Sequence, residues 1–151
     1  MNDDLKYMTL AMDAARAAAE AGEAPIGAVL VDGAGAVLAK AGNAPIATHD
    51  PTGHAEIRAL RMAAEKTQNY RLTGTSLFVT LEPCAMCAGA ISIARVGRLV
   101  VAAKDQKGGA VFHGPRYFEQ PTCHWRPEVV EGPLAEESSK LLRSFFQMRR
   151  R

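Results

Sequence analysis

Two short segments constrain this chain more than anything else in it: His54-Ala55-Glu56 and, thirty residues after the histidine, Cys84-Ala85-Met86-Cys87 behind Pro83. Metal-ligand residue types split in this way need a fold that brings distant segments together. Cys84 and Cys87, at i,i+3 spacing, share one face of a helical turn, so His54 must come from a different element to complete a pyramid of ligands. One imidazole and two thiolates are one ligand short of the tetrahedral closure of a structural zinc site, and a water can take the fourth position. Glu56 has no use in a closed structural site. Beside an open position it can take a proton from metal-bound water and return it to a leaving group. The set reads as a catalytic Zn2+ site with ligands His54, Cys84 and Cys87 and with Glu56 as the catalytic acid and base.

Blander readings compete with this one. A Cys-x-x-Cys pair alone is more often a structural zinc clamp or a redox motif. His-x-Glu upstream and a proline before the first cysteine turn the balance toward an open catalytic site. A redox role loses weight because no thioredoxin-like βαβ unit is expected around the pair. His49, His113 and His124 read as loop or surface histidines, and Cys123 beside His124 is the one rival metal pair. Cys123 has no obvious disulfide partner, which fits a reducing compartment.

The 151 residues are expected to form a single domain, 1–151, able to bury roughly two-thirds of its unfolded surface without disulfides. A hydrophobic share of 48% with 23% charged residues is that of a globular protein rather than a disordered one. The first residues lack a secretory or transit pattern, and the apolar stretches break well short of the ~18 residues of a membrane span. A cytoplasmic protein with no membrane partner is expected. The net charge of +2 is too small to announce a nucleic-acid partner.

Leu5, Met8, Met12, Ala15 and Ala19 recur at helical spacing opposite Lys6, Asp13, Arg16 and Glu20, with Gly22 as a stop. Two β-prone runs, 26–31 and 36–39, flank Asp32-Gly33-Ala34-Gly35 and predict a hairpin. A second helix follows Asp50-Pro51-Thr52-Gly53, with His54 and Glu56 in its first turn and Ile57, Leu60 and Ala64 as its apolar stripe. Leu77 to Leu81 predicts a buried strand, after which Pro83 is expected to open a third helix. A strand over 99–102, a long loop over 104–127, a short strand at Val129-Val130 and a last helix from Leu134 complete an α/β layered fold. In that helix Leu134, Leu141, Leu142, Phe145 and Phe146 are expected to face inward, and Arg149-Arg150-Arg151 ends it.

Both ligand segments are thus placed at helix starts, where the positive dipole ends favour thiolate, hydroxide and the negative charge of attack. Backbone N–H groups around Ala55 and Cys84 are expected to donate to the attacking oxygen. Helix three, with Ala88, Gly89 and Ala90 permitting close approach, is where part of an interface is expected.

Several runs carry a resemblance. They are Asn43 with His49-Asp50-Pro51-Thr52, His54-Ala55-Glu56-Ile57, Gln68-Asn69-Tyr70-Arg71-Leu72, Thr80 to Cys84, Met86 to Ile91, and Phe145-Phe146-Gln147-Met148-Arg149-Arg150. On these the chain resembles the bacterial tRNA-specific adenosine deaminases over nearly its whole length. The zinc motif alone fits the wider cytidine deaminase-like superfamily. The resemblance implies a three-layer α/β/α sandwich around a five-stranded mixed sheet and a homodimer with one zinc per subunit. It implies conversion of the wobble adenosine of an arginine tRNA to inosine, with the anticodon stem-loop as partner. The chemistry it implies is attack by zinc-activated hydroxide on adenine C6, with Glu56 shuttling the proton to the ring nitrogen and the departing ammonia. The flipped base would lie between Asn43, the backbone near Ala55 and the zinc, with Pro25 and Leu81 as apolar walls and Asp105 meeting the loop nucleotides.

The runs 111–118 and 121–125 depart from the commonest family pattern, which bears on loop contacts and not on the zinc chemistry. Two other functions remain open at this point. One is a deaminase of a free base or nucleoside such as guanine or cytosine. The other is a non-enzymatic zinc-stabilised RNA-binding module, against which Glu56 argues.

Overall fold

Alternation along the central strands decides which layer each side chain joins. The computed structural model describes residues 3–149. Strands β1 (Gly27–Val31), β2 (Val37–Gly42), β3 (Ser76–Leu81), β4 (Arg98–Ala103) and β5 (Glu128–Glu131) form one sheet in the order β2-β1-β3-β4-β5. β1 runs antiparallel to β2 and β3, whereas β3, β4 and β5 are parallel. The sheet is therefore mixed.

Ala28, Leu30, Leu77, Val79, Leu99 and Val101 point to one face, where they pack with Ala55, Ala59 and Leu60 of α3 (Ala55–Thr67) and with Ala88 and Ile91 of α4 (Ala85–Ala94). Their neighbours Val29, Val31, Phe78, Val100 and Ala102 point the other way, onto Tyr7, Met8 and Ala11 of α1 (Asp4–Glu20). The last helix, α5 (Ala135–Arg149), lies against β3, β4 and α1 on that second side. Helices on both faces explain why these strands read as unbroken apolar runs. The result is the three-layer α/β/α sandwich expected from the resemblance.

Close approach of α1 to the sheet depends on small residues. A Cβ on Gly27 would overlap the backbone of Ala11 and Ala15, so only glycine fits where β1 begins. The alanines of α1 are thus a packing surface. At the other end of the helix, Arg98 grips Asp4 with two hydrogen bonds of 2.8 Å and ties α1 to β4.

Several sequence expectations change. Leu5 is 57% and Phe146 47% exposed, and Leu134, Leu141, Leu142 and Phe145 are only partly buried, so α5 packs loosely on the sheet. Its one fully buried side chain is Ser138, whose hydroxyl donates to the Thr80 carbonyl at 2.6 Å. Arg150 and Arg151 lie outside the described residues. Pro83 does not open a helix: α4 begins at Ala85 with Cys84 as its extended N-cap. The loop before β5 holds a short 3-10 turn, Tyr117–Glu119. The Cys-x-x-Cys pair does sit in a βαβ unit, β3-α4-β4, contrary to the reading that none surrounds it. Among the described residues no helix is long and apolar enough to cross a membrane.

Candidate functional site

The register of the strands collects the nominated residues at one end of the sheet. Leu81 closes β3 opposite Ala103, so Pro83-Cys84 and Asp105 leave neighbouring strands side by side. β1 is antiparallel to both of its neighbours, with Ala28 opposite Val79 and Gly27 opposite Gly42. Pro25, just before β1, and Asn43, just after β2, therefore reach the same end. Ligand sites form at such ends, where parallel strands feed helix N-termini.

His54 is the N-cap of α3 and Cys84 the N-cap of α4, both with extended backbone. Cys87 follows in the first turn of α4. His54 Nδ1 lies 3.6 Å from Cys84 Sγ and 3.5 Å from Cys87 Sγ. The three donor atoms all fall within 4.8 Å of one another, so a single ion can be held by all three. One imidazole and two sulfurs suit zinc and leave a coordination position for water. Contact of both sulfurs with an imidazole argues against the redox reading, which the βαβ topology by itself would allow.

The protonation states favour a cation. Hydrogen bonding from Cys87 holds the Cys84 thiol down to about 5, while that same bond pushes the Cys87 thiol up. Together they form a thiolate and thiol pair, and an ion bound by both sulfurs displaces the Cys87 proton. Glu56, in the first turn of α3, is 4% exposed. Burial pushes its carboxyl up to about 7, and the negative charge of Cys84 acts in the same direction. A carboxyl poised near neutrality is suited to both accepting and giving a proton.

Asn43 and Ala55 meet each other directly. The Ala55 N–H donates to Asn43 Oδ1 at 2.8 Å, so that N–H is not free for an attacking oxygen as expected. Asn43 Nδ2 then has no partner among the described residues and is the group available to a ligand. The Ala44 N–H bonds to the Gly53 carbonyl at 3.0 Å, which stitches the Asn43 segment to the one bearing His54. Pro25 is buried, and Leu81 is partly exposed. Asp105 lies further out, its Oδ1 accepting from the N–H groups of Lys107 and Gly108. With Leu81, Lys104, Lys107, Arg143 and Phe146 it lines a groove of about 670 Å³.

Two buried carboxylates escaped sequence reasoning. Glu23 is 2% exposed and accepts from the N–H groups of Ile46 and Ala47 at the start of α2 (Pro45–Thr48), directly after Asn43-Ala44. Glu82 lies between β3 and the first cysteine, and its side chain has no exposed surface. Burial alone would raise its pKa, but hydrogen bonds from Asp105, His113, Phe112 and Val111 hold it below the usual carboxylate range. His113, read from sequence as a loop or surface residue, is instead half-buried on Glu82. A charged residue at the end of an apolar strand was the available signal. The rival pair Cys123-His124 is spent elsewhere: Cys123 donates to the Trp125 carbonyl, and His124 meets Arg95 on the surface.

Residues 1–103 match the cytidine and deoxycytidylate deaminase zinc-binding region. The chain is 51% identical over 150 residues to the tRNA-specific adenosine deaminase of Agrobacterium fabrum, covering 99% of this chain and 98% of that one. A structure solved in work on A-to-I editing by tRNA:A34 deaminases at the wobble position superposes with a TM-score of 0.89 at 51% identity, covering 91% of this chain and 99% of the other. Guanine deaminase from Bacillus subtilis superposes at 0.67 with 30% identity, covering 99% and 94%.

The metal assignment predicts that Cys87→Ser and His54→Ala lose bound zinc, while Cys123→Ser retains one zinc per chain. Metal content of the purified variants by mass spectrometry checks this, and zinc loss from Cys123→Ser would contradict the ligand set.

Proposed function

From a chain that belongs to the cytidine and deoxycytidylate deaminase family, with bacterial tRNA-specific adenosine deaminases among its relatives, we propose hydrolytic deamination of the wobble adenosine of a tRNA anticodon to inosine. An arginine tRNA is the substrate the resemblance favours. The observation that carries the chemistry is Glu56: a buried carboxyl raised to about 7, in the first turn after one metal-ligand residue and beside the other two.

His54, Cys84 and Cys87 would hold the zinc, which when bound would supply a Lewis acid that makes water a nucleophile at neutral pH. Glu56 takes one proton of the attacking water and delivers it to the ring nitrogen next to the reacting carbon. It then takes the proton of the hydroxyl now on that carbon and gives it to the amine, so that the C–N bond breaks, ammonia leaves and a carbonyl remains. Asn43 Nδ2 donates to an acceptor on the base and fixes its orientation. Pro25 and Leu81 form apolar walls that exclude competing water. The groove beyond Leu81 offers Lys104, Lys107 and Arg143 to backbone phosphates of the nucleotides on either side. These cations favour a polynucleotide over a free base.

The protein acts as a single domain in the cytoplasm, and as a homodimer. Support for the dimer comes from the apolar face shared by α3 and α4, where Ile93 is 61% and Tyr70, just after α3, 64% exposed. That face includes Ala90, from the helix expected to pack closely. An apolar surface of this kind fits a partner of like chemistry, and a second copy provides one.

Glu56→Gln is expected to keep its zinc and to lose inosine formation in an anticodon stem-loop by about 10³-fold or more, read by sequencing of the product. Activity within about tenfold of wild type would remove Glu56 from the mechanism. Ile93→Asp is expected to sediment as a monomer where the wild type sediments as a dimer; an unchanged profile would move the interface elsewhere.

A further inference from the structure

Glu82 is the most heavily hydrogen-bonded side chain near the candidate site, and the proposed chemistry does not use it. Oε1 accepts from the Asp105 N–H at 2.9 Å and pairs with His113 Nδ1 at 2.9 Å. Oε2 accepts from the N–H groups of Val111, Phe112 and His113 at 3.1, 2.8 and 3.2 Å. Five donors converging on one carboxylate satisfy a charge that would otherwise be too costly to bury. The seat is shaped for it: a Cβ on Gly109 would overlap the carboxylate, so the loop can wrap only with glycine there.

All of these donors belong to one loop, 105–113, whereas Glu82 itself belongs to the segment that leads into Cys84. The two sides are not held equally. The cysteine segment has its own anchors: Glu82 N–H to the Ala103 carbonyl at 2.8 Å, the Leu81–Ala103 pairing, and the Ala88 N–H to the Cys84 carbonyl at 2.9 Å. On the loop side, besides the carboxylate, Ala110 N–H to the Pro83 carbonyl at 2.9 Å is the other direct tie to that segment among the described residues. Ala110 and Val111 are packed in the core, so cutting the carboxylate would loosen the 105–109 end of the loop and leave the ligands in place. The released end includes Asp105 and Lys107, which line the groove beside Leu81.

We propose that Glu82 is a positioning residue for RNA binding: it holds loop 105–113 against the metal-ligand segment, so that the groove for nucleotides flanking the target base exists before the RNA arrives. Glu82 touches neither the base nor the metal, and acts through the loop. A preformed groove lowers the ordering cost of binding. Loss of the clamp thus weakens association and spares the chemical step. The inference rests on the functional reading that the substrate is an RNA stem-loop.

Glu82→Gln is the sharpest variant, because the amide offers one acceptor oxygen and turns an NH2 toward the remaining donors. His113→Ala removes one of the five bonds at a partly exposed position and keeps the backbone clamp. Single-turnover deamination of an anticodon stem-loop, with zinc content measured on the same samples, separates binding from chemistry. For Glu82→Gln we expect the half-saturating concentration to rise by about tenfold, with the limiting rate within about twofold and one zinc per chain retained. For His113→Ala a rise of about threefold is expected on the same terms. Half-saturation unchanged in a folded Glu82→Gln would overturn the proposal, as would a limiting rate and zinc content that fall together. If Glu82→Gln does not fold, His113→Ala decides by the same criterion. A wild-type protein that forms no inosine overturns the functional reading and this inference with it; an active wild type with unsplit variants overturns only this inference.

Discussion

His54 and Cys84 each cap a helix, and the meeting of those two helix starts at one end of the sheet is the constraint on which the rest of the site depends. It follows from strand direction. β3 and β4 are parallel, so the chain must cross over through α4, and α4 must begin at the carboxyl end of β3. β1 runs the other way and β2 returns in the direction of β3, so the segment before β1, with Pro25, and the segment after β2, with Asn43, lie at the same end. The positive ends of two helix dipoles then face the space between them, which favours thiolates and developing negative charge there. A metal position, a proton carrier and an oriented amide arise from strand order before any ligand is considered.

Three buried carboxylates surround this space, and their environments assign them different tasks. Glu56 is desolvated next to a thiolate and is pushed up to about 7, so it can exchange a proton. Glu82 is just as hidden but collects five hydrogen bonds and stays ionised, so it can only hold. Glu23 holds the start of α2 beside Asn43 through the N–H groups of Ile46 and Ala47. Identical chemistry thus serves as proton carrier or as clamp according to the donors around it.

The ligand motif was legible because its spacing is local: i,i+3 for the cysteines, and two residues from His54 to Glu56. The central strands were legible because helices cover both faces and leave near-continuous apolar runs. Elsewhere periodicity overreached. Leu5 and Phe146 fit a helical stripe yet stay exposed, since pattern shows which side chains share a face and not whether another element covers it. The proline before Cys84 suggested a helix start two residues too early, because the cysteine itself serves as the cap. Glu23 and Glu82 were invisible as clamps for a plain reason. Apart from the His113 ring on Glu82, their partners are backbone N–H groups, which every residue but proline has, so residue types mark them only weakly. The occupied Ala55 N–H was hidden as well, since its partner Asn43 comes from the segment after β2, twelve residues earlier.

Wobble-adenosine chemistry on RNA, rather than on a free base, is the central claim, and ammonia release is its most direct readout. The zinc-loaded protein should be assayed side by side on an anticodon stem-loop with adenosine at the wobble position, on free adenosine, on guanine and on cytosine. The account predicts ammonia from the stem-loop and none from the three small molecules. Release from guanine or cytosine with none from the RNA would contradict it.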